Sequence, residues 1–324
     1  MRIKARFETD SMAPEFAPSG VLDFSTHQLA HALFTTGRAP GDRVSHGATS
    51  LWEFVHRATI IPAYLRVDRS MSLRKSRLAA ELDRSEKAVL SYSLGQAMAS
   101  IYCRSHMQVS HLLHVDRYGD PWRLSLPSSG PRPDLFGQRR SGQWVVVEAK
   151  GRSNGVDANL IKTVKQQKSV VSAINGRTDH IPIGSVVNFP PLRNGDSGAM
   201  KLNVIDPPNQ HDGHRLVFDE NRFLRAYYQP FVTLLESLSS SATPAPSGFH
   251  VVPFPELGMK VGLADSVARR LQSRDELTFD AFREWSHGDS PDEGCFSDGT
   301  YFWTDWDDQL SVEDFDGAVM SPES

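Results

Sequence analysis

The stretch "PDLFGQRRSGQWVVVEAKGR", residues 133–152, contains an apolar run from Trp144 to Val147 that ends abruptly in charge, at Glu148 and Lys150. The run is too short for a helix and rich in valine, so it reads as a strand. Side chains alternate along a strand, which puts Trp144, Val146, Glu148 and Lys150 on one side and Val145, Val147 and Ala149 on the other. Both sides are apolar through residue 147, the pattern of a central strand covered on both faces. "QRRSG" reads as the turn of a hairpin whose first strand is "PDLFG". Counting back from that turn sets Asp134 opposite residues 147–149, next to Glu148, with the two carboxylates within roughly 5 Å. Carboxylates that close repel one another unless something positive lies between them. Burying such charges is costly unless they are paired.

Outward from this hairpin the pattern is α/β. Upstream, the spacing of Val89, Leu90, Leu94, Ala97, Met98 and Ile101 predicts a helix over 86–104, with Ser85 as its cap. "QVSHLLHV" (108–115) and "WRLSL" (122–126) read as strands around a turn at Tyr118–Pro121. Downstream come a helix over 157–174, strands at 181–189 and 201–206, and a long amphipathic helix over 219–237 that Pro230 should kink. Residues 1–75 read as an N-terminal extension with helical patterns at 25–36 and 50–57 and an edge strand at 60–67. "SLSSSATPAPSG" (237–248) has the small, polar composition of a linker. Residues 249–324 then form a small α+β region, leaving 76–236 as the core.

Composition narrows the classes. The chain has 324 residues, 39% apolar and 23% charged, as soluble globular proteins do. Two cysteines, Cys103 and Cys295, are too few for a disulfide framework or a cysteine zinc cluster. No apolar run approaches the ~18 residues of a membrane span and the first residues lack a secretory pattern, so a cytoplasmic protein with no membrane partner is expected. The net charge of −4 hides an asymmetry: residues 284–324 hold twelve acids and no Lys or Arg, while the first 283 carry 35 basic and 27 acidic residues. The acidic end reads as a solvated tail, or as a segment that competes with a polyanion for the basic body. Walker A, HExxH, GxSxG and GxGxxG patterns are absent. His111 and His114 lie three apart on a strand and so face opposite ways, "HDGH" (211–214) reads as a turn, and Trp303 and Trp306 read as packing a small core.

The residues at the hairpin suit one chemistry in particular. Asp134 and Glu148 offer hard oxygen ligands to Mg²⁺, which leans on one or two carboxylates and keeps several waters. Lys150 on the same face places an ammonium beside an attacked phosphate, and metal plus ammonium supply what phosphodiester hydrolysis requires. Around them, residues 131–168 carry eight basic side chains against three acids, a surplus suited to phosphate-backbone contacts.

Pro133-Asp134, followed fourteen residues later by Glu148-Ala149-Lys150, resembles the PD-(D/E)xK nuclease superfamily over about residues 85–206. The resemblance implies a restriction-endonuclease-like core, a mixed central sheet flanked by helices. It implies Mg²⁺, or Mn²⁺ in its place, on Asp134, Glu148 and the backbone carbonyl of Ala149, with Lys150 positioning the attacking water. It also points to an extra polar residue on the first core helix, best matched by Gln96 with Glu86 as the acidic alternative, and to Lys165 and Gln166 on the following helix. Arg152 and Lys162 join these as candidate substrate contacts. The expected activity is a metal-dependent endonuclease acting on DNA rather than RNA, in restriction, phage defence or repair, with a homodimer or a partner protein assembled through the flanking regions. The alternative is a catalytically silent nucleic-acid-binding or regulatory subunit of the same fold.

Overall fold

At the N-terminus "RIKARFETD" turns Ile3, Ala5 and Phe7 inward and polar side chains outward, a period of two that belongs to a strand. In the computed structural model it is β1 (Arg2–Asp10), followed by β2 (Ser19–Ser25), α1 (Thr26–Thr36), α2 (Thr49–Tyr64), β3 (Leu65–Val67), β4 (Leu73–Lys75) and α3 (Arg77–Glu81). Next come α4 (Arg84–Met107), β5 (Val109–His114), β6 (Leu135–Arg139), β7 (Trp144–Arg152), α5 (Ala158–Lys168), β8 (Val171–Ile174), β9 (Ile181–Asn188), β10 (Lys201–Ile205) and β11 (His214–Leu216). The chain closes with α6 (Glu220–Leu238), β12 (Phe249–Phe254), β13 (Met259–Ala264), α7 (Asp265–Gln272), α8 (Phe279–Arg283), β14 (Thr300–Thr304) and α9 (Asp307–Leu310). The structure describes residues 1–10, 12, 15–16, 19–36, 49–115, 133–168, 170–190, 198–206, 213–238, 246–273, 275–283 and 290–311. The strand expected at 122–126, the turn before it, Arg132, His211 and most of the 237–248 linker lie outside these.

The centre is a mixed seven-stranded sheet in the order β2-β1-β10-β9-β7-β6-β5, flanked by helices. β7 runs parallel to β9 and antiparallel to β6, so it is an interior strand, which is why its apolar run is continuous. β1 pairs parallel with β10 and antiparallel with β2, so the sheet takes two strands from residues read as an extension and is not confined to 76–236. Nothing local announces this, because β10, the strand that joins β1 to the rest of the sheet, lies almost 200 residues away. β12, β13 and β14 form a separate antiparallel sheet. No described helix is long and apolar enough to cross a membrane.

Several local expectations change. Residues 60–64 are the last turns of α2 rather than strand, since Phe54, Ala58 and Ile61 recur at helical spacing and are all buried. Asp83, not Ser85, caps α4, and Glu86 answers it in a capping box. The helix expected through residue 174 stops at Lys168, and the β-branched Val171 and Ile174 instead belong to β8, which pairs with β11. α6 continues through Pro230.

The acidic end is more than a solvated tail over its described part. Asp292 pairs with Arg2 at 2.8 Å and Asp307 with the N-terminal ammonium at 2.6 Å. Asp298 is fully buried: Oδ2 accepts from Arg104 at 3.0 Å and Tyr227 at 2.6 Å and lies 3.2 Å from His31, while Oδ1 accepts from the Thr300 hydroxyl at 2.6 Å. Burial disfavours its charged form, yet Arg104 and His31 hold the carboxyl well below its ordinary range. This carboxylate ties the C-terminal sheet to α1, α4 and α6.

Removing one partner of a buried charged network leaves the others uncompensated. Asp298→Ala is expected to lower unfolding stability by about 3–5 kcal/mol, measured by urea denaturation at neutral pH. A loss within error of zero would show that Asp298 does not clamp these elements together.

Candidate active site

β7 meets α4 backbone to backbone. A Cβ on Gly151 would fall 1.6 Å from the Ser91 carbonyl oxygen, and one on Gly95 would lie 2.8 Å from both the Lys150 carbonyl carbon and the Gly151 nitrogen. Only glycine permits that approach. On the opposite face Trp144 packs edge-on against Phe218 at the entry to α6, and Val186, beside Lys150 in the parallel register, packs under Leu160 and Val164 of α5. Both faces of β7 are therefore covered to its last turns, and Glu148 and Lys150 emerge between helices.

The hairpin register, Leu135 against Val147, sets Asp134 across from Glu148 as the spacing predicts. Asp134 Oδ2 accepts the Ala149 N–H at 2.9 Å, which fixes the carboxylate at the strand edge. Lys150 Nζ lies 2.5 Å from Glu148 Oε1 and 3.9 Å from Asp134 Oδ2. The structure thus brings Asp134, Glu148 and Lys150 into one cluster. Across β9, Glu148 faces Gly184, which has no side chain to partner it.

Glu148 is fully buried, and its Oε2 has no hydrogen-bond partner. Burial, then repulsion from Asp134, push its carboxyl up to about 7, with Lys150 pulling the other way. Burial works against the Lys150 ammonium too, but Asp134 and Glu148 outweigh it and hold its pKa above the ordinary value. The pair therefore keeps its cation firmly while its acid sits near neutrality, the kind of poise found where groups handle protons or cations.

These residues fit a hard divalent cation. Glu148 Oε1 and Asp134 Oδ2 both approach Lys150 Nζ, and the Ala149 carbonyl leaves the strand on the same side as its N–H, toward Asp134. Among the described residues no group of three or more His, Cys, Asp or Glu comes together, so such an ion would rest on two carboxylates and a carbonyl. That is a small ligand set of the kind Mg²⁺ accepts, with water and phosphate oxygens filling the remainder.

The remaining candidates are placed less centrally. Gln96 is buried beside Gly95; its Nε2 donates to Tyr92 Oη at 2.7 Å, and Tyr92 in turn meets His114 Nε2 at 3.1 Å. By register His114 pairs with Leu135, hence with the Val147 face, while Glu148 points to the other. No hydrogen bond joins Gln96 to either carboxylate, and its Oε1 is buried without a partner. Glu86 serves the cap of α4. Lys165 pairs with Asp10 at the end of β1, at 2.7 Å. Arg152 and Lys162 are exposed, and the side chain of Gln166 lies outside the described residues. His111 reaches Tyr228 at 2.7 Å on the face opposite His114, so the two do not form a ligand pair.

Lys75 is the residue that sequence reasoning missed. At the end of β4, its Nζ donates to the Ser153 carbonyl at 3.0 Å, just past the end of β7, and lies over the Phe189 ring. Burial, with Lys87 nearby, lowers its pKa. It adds positive charge beside the strand end from 78 residues away in sequence, a distance no local motif spans.

The raised Glu148 pKa makes a signed prediction. Between the ordinary 4.5 and about 7 the folded chain holds a proton that the unfolded chain has released, so stability falls as pH rises through that window. Glu148→Gln removes this cost. In EDTA the variant should be more stable than wild type above pH 7 by on the order of 2 kcal/mol, with the gap closing toward pH 4. Urea denaturation across pH checks this, and a gap that stays constant with pH would contradict the burial of an ionisable Glu148.

No protein-family model matches the chain, and comparisons with curated proteins and with solved structures find no match.

Proposed function

We propose that the protein is a metal-dependent nuclease with a restriction-endonuclease-like core, hydrolysing phosphodiester bonds in DNA in preference to RNA. The observation that carries this reading is the buried, half-partnered Glu148 carboxylate held against Asp134 and Lys150 at the end of an interior strand. Asp134, Glu148 and the Ala149 carbonyl would hold Mg²⁺ or Mn²⁺, which when bound acidifies water and offsets charge on phosphate oxygens. Lys150 stabilises the negative charge that builds on the attacked phosphate and orients the attacking water. Glu148, whose carboxyl burial and Asp134 push up to about 7, would hold such an ion as a carboxylate. Lys75 and Arg152 put positive charge at the strand end, and with the exposed Lys162 would contact the phosphate backbone, which gives affinity without sequence information. The chain would act as a homodimer or with a partner protein, in restriction, phage defence or repair.

A second reading has one observation in its favour. The helix position expected to supply a further acid carries Gln96, bonded to Tyr92 rather than to the carboxylates, as suits a silent nucleic-acid-binding or regulatory subunit.

The test is cleavage of supercoiled plasmid, linear duplex, single-stranded DNA and RNA with Mg²⁺, Mn²⁺ or EDTA. Wild type should cut DNA only with a divalent cation, and Asp134→Ala and Lys150→Ala should each lose at least about a hundredfold in rate. Retained cutting in both variants would place the chemistry elsewhere. Metal-independent binding of DNA without cleavage would favour the silent subunit.

A further inference from the structure

The strands beside β7 extend its charged side away from the candidate site. Register places Lys150 beside Val186 of β9, Val186 beside Asn203 of β10 and Asn203 beside Glu8 of β1, so these side chains share one side of the sheet. α5 covers part of that side, with Leu160 and Val164 packed on Val186 and Ile205. The neighbouring row on the same side is Arg152, Asn188, Lys201 and Arg6, one residue from each strand. Arg152 and Arg6 are exposed, as is Lys4, which follows Arg6 on the same side of β1. With strands ~4.8 Å apart, the row carries positive charge across about 14 Å, from the end of β7 to β1.

We propose that this face carries the phosphate backbone of a DNA duplex away from the candidate active site, so that the site's substrate is double-stranded. The inference rests on the nuclease reading above and adds the strandedness of its substrate. Charge supports it first. Among the described residues Lys4, Arg6 and Arg152 make no ion pair. Of the acids on the same side of β1 and β2, Asp10 is held by Lys165 at 2.7 Å and Asp23 by Arg2 at 2.8 Å. That leaves Glu8 against three cations, with Lys201 set aside. The cations are also well placed, because the backbones of β7 and β1 are each paired on both sides and hold their side chains in fixed rows. Duplex DNA presents one negative charge per ~1.7 Å of its axis, so the row spans the charge of about four base pairs. A single strand is held differently, by bases stacked on aromatic rings beside the positive groove. None of the outward residues of β1, β2 and β10 is aromatic, and Phe7 and Phe24 are buried on the other side. A face with cations and no stacking ring suits backbone contacts alone, as a duplex makes them.

The test is fluorescence anisotropy of a labelled DNA duplex of about 20 base pairs, and of its single strand, titrated with the full chain in EDTA between ~50 and ~200 mM salt. Wild type should bind the duplex about tenfold tighter than the single strand. Arg6→Gln should weaken duplex binding about threefold and reduce the slope of log affinity against log salt by about one, the loss of one phosphate contact, with an unchanged circular dichroism spectrum. Glu8→Gln should tighten binding by a similar factor, and Arg269→Gln, an exposed arginine on α7, should leave affinity and slope as they are. A single strand bound as tightly as the duplex overturns the proposal, as does Arg6→Gln with wild-type affinity and slope. Absence of duplex binding by wild type at micromolar concentration overturns it too, and metal-dependent cutting in the cleavage assay would then leave the nuclease reading standing. Duplex binding weakened in Arg6→Gln, with no cutting by wild type, would keep this face and remove the nuclease reading alone.

Discussion

The seating of α4 directly on β7, glycine against backbone, is the constraint on which the rest of this architecture depends. Gly95 and Gly151 let helix and strand come closer than any side chain would allow, at the point where β7 turns from apolar to charged. That contact covers one face of the strand so completely that Glu148 and Lys150 can emerge only on the other. It also places Ser91 and Tyr92 against the strand end, and through Tyr92 the buried Gln96 and His114. A larger residue at either glycine would lift the helix and open the strand end to water. Water would relieve the desolvation that pushes Glu148 toward neutrality.

Charge is handled differently at the two ends of the β6–β7 hairpin. At the carboxylate end, two acids share one ammonium, and one oxygen of the fully buried Glu148 is unpartnered. Burial and the neighbouring Asp134 push the Glu148 carboxyl up to about 7. Toward the turn end, Arg104 meets a fully buried acid, Asp298, at 3.0 Å. Asp298 is far better satisfied than Glu148, with donors on both oxygens, and its carboxyl is held low where that of Glu148 is raised. The Asp298 network holds the structure together, whereas the Glu148 cluster leaves a buried carboxylate oxygen without a partner.

The C-terminal region illustrates why composition misleads. Twelve acids and no basic residue over 284–324 read as a solvated tail, because charge runs usually are. Yet Asp292, Asp298 and Asp307 each meet a positive group contributed by the first 104 residues. Their partners are fixed by the three-dimensional path of the chain, and a count of charges along the sequence carries no information about that path.

By itself the sequence determined the local features with short periods. The alternation in Trp144–Lys150, the turn at Arg139–Gly142 and the spacing back to Asp134 follow from strand geometry, and the hairpin forms in that register with Asp134, Glu148 and Lys150 together. The strands at β9 and β10 were legible for the same reason, as was the α4 stripe apart from Val89, which is exposed. Only the tertiary structure decided which distant segments complete the sheet, with β1 beside β10, and which residues surround the strand end, with Lys75 against Ser153 and Gln96 turned to Tyr92. It likewise decided that α2 prevails over a strand at 60–64 and that β8 cuts short the helix after the hairpin. Period and turn chemistry are properties of neighbouring residues, and they survive in one dimension. Pairing, burial and the resulting shifts in acidity depend on groups brought together from far along the chain, and exist only once it has folded.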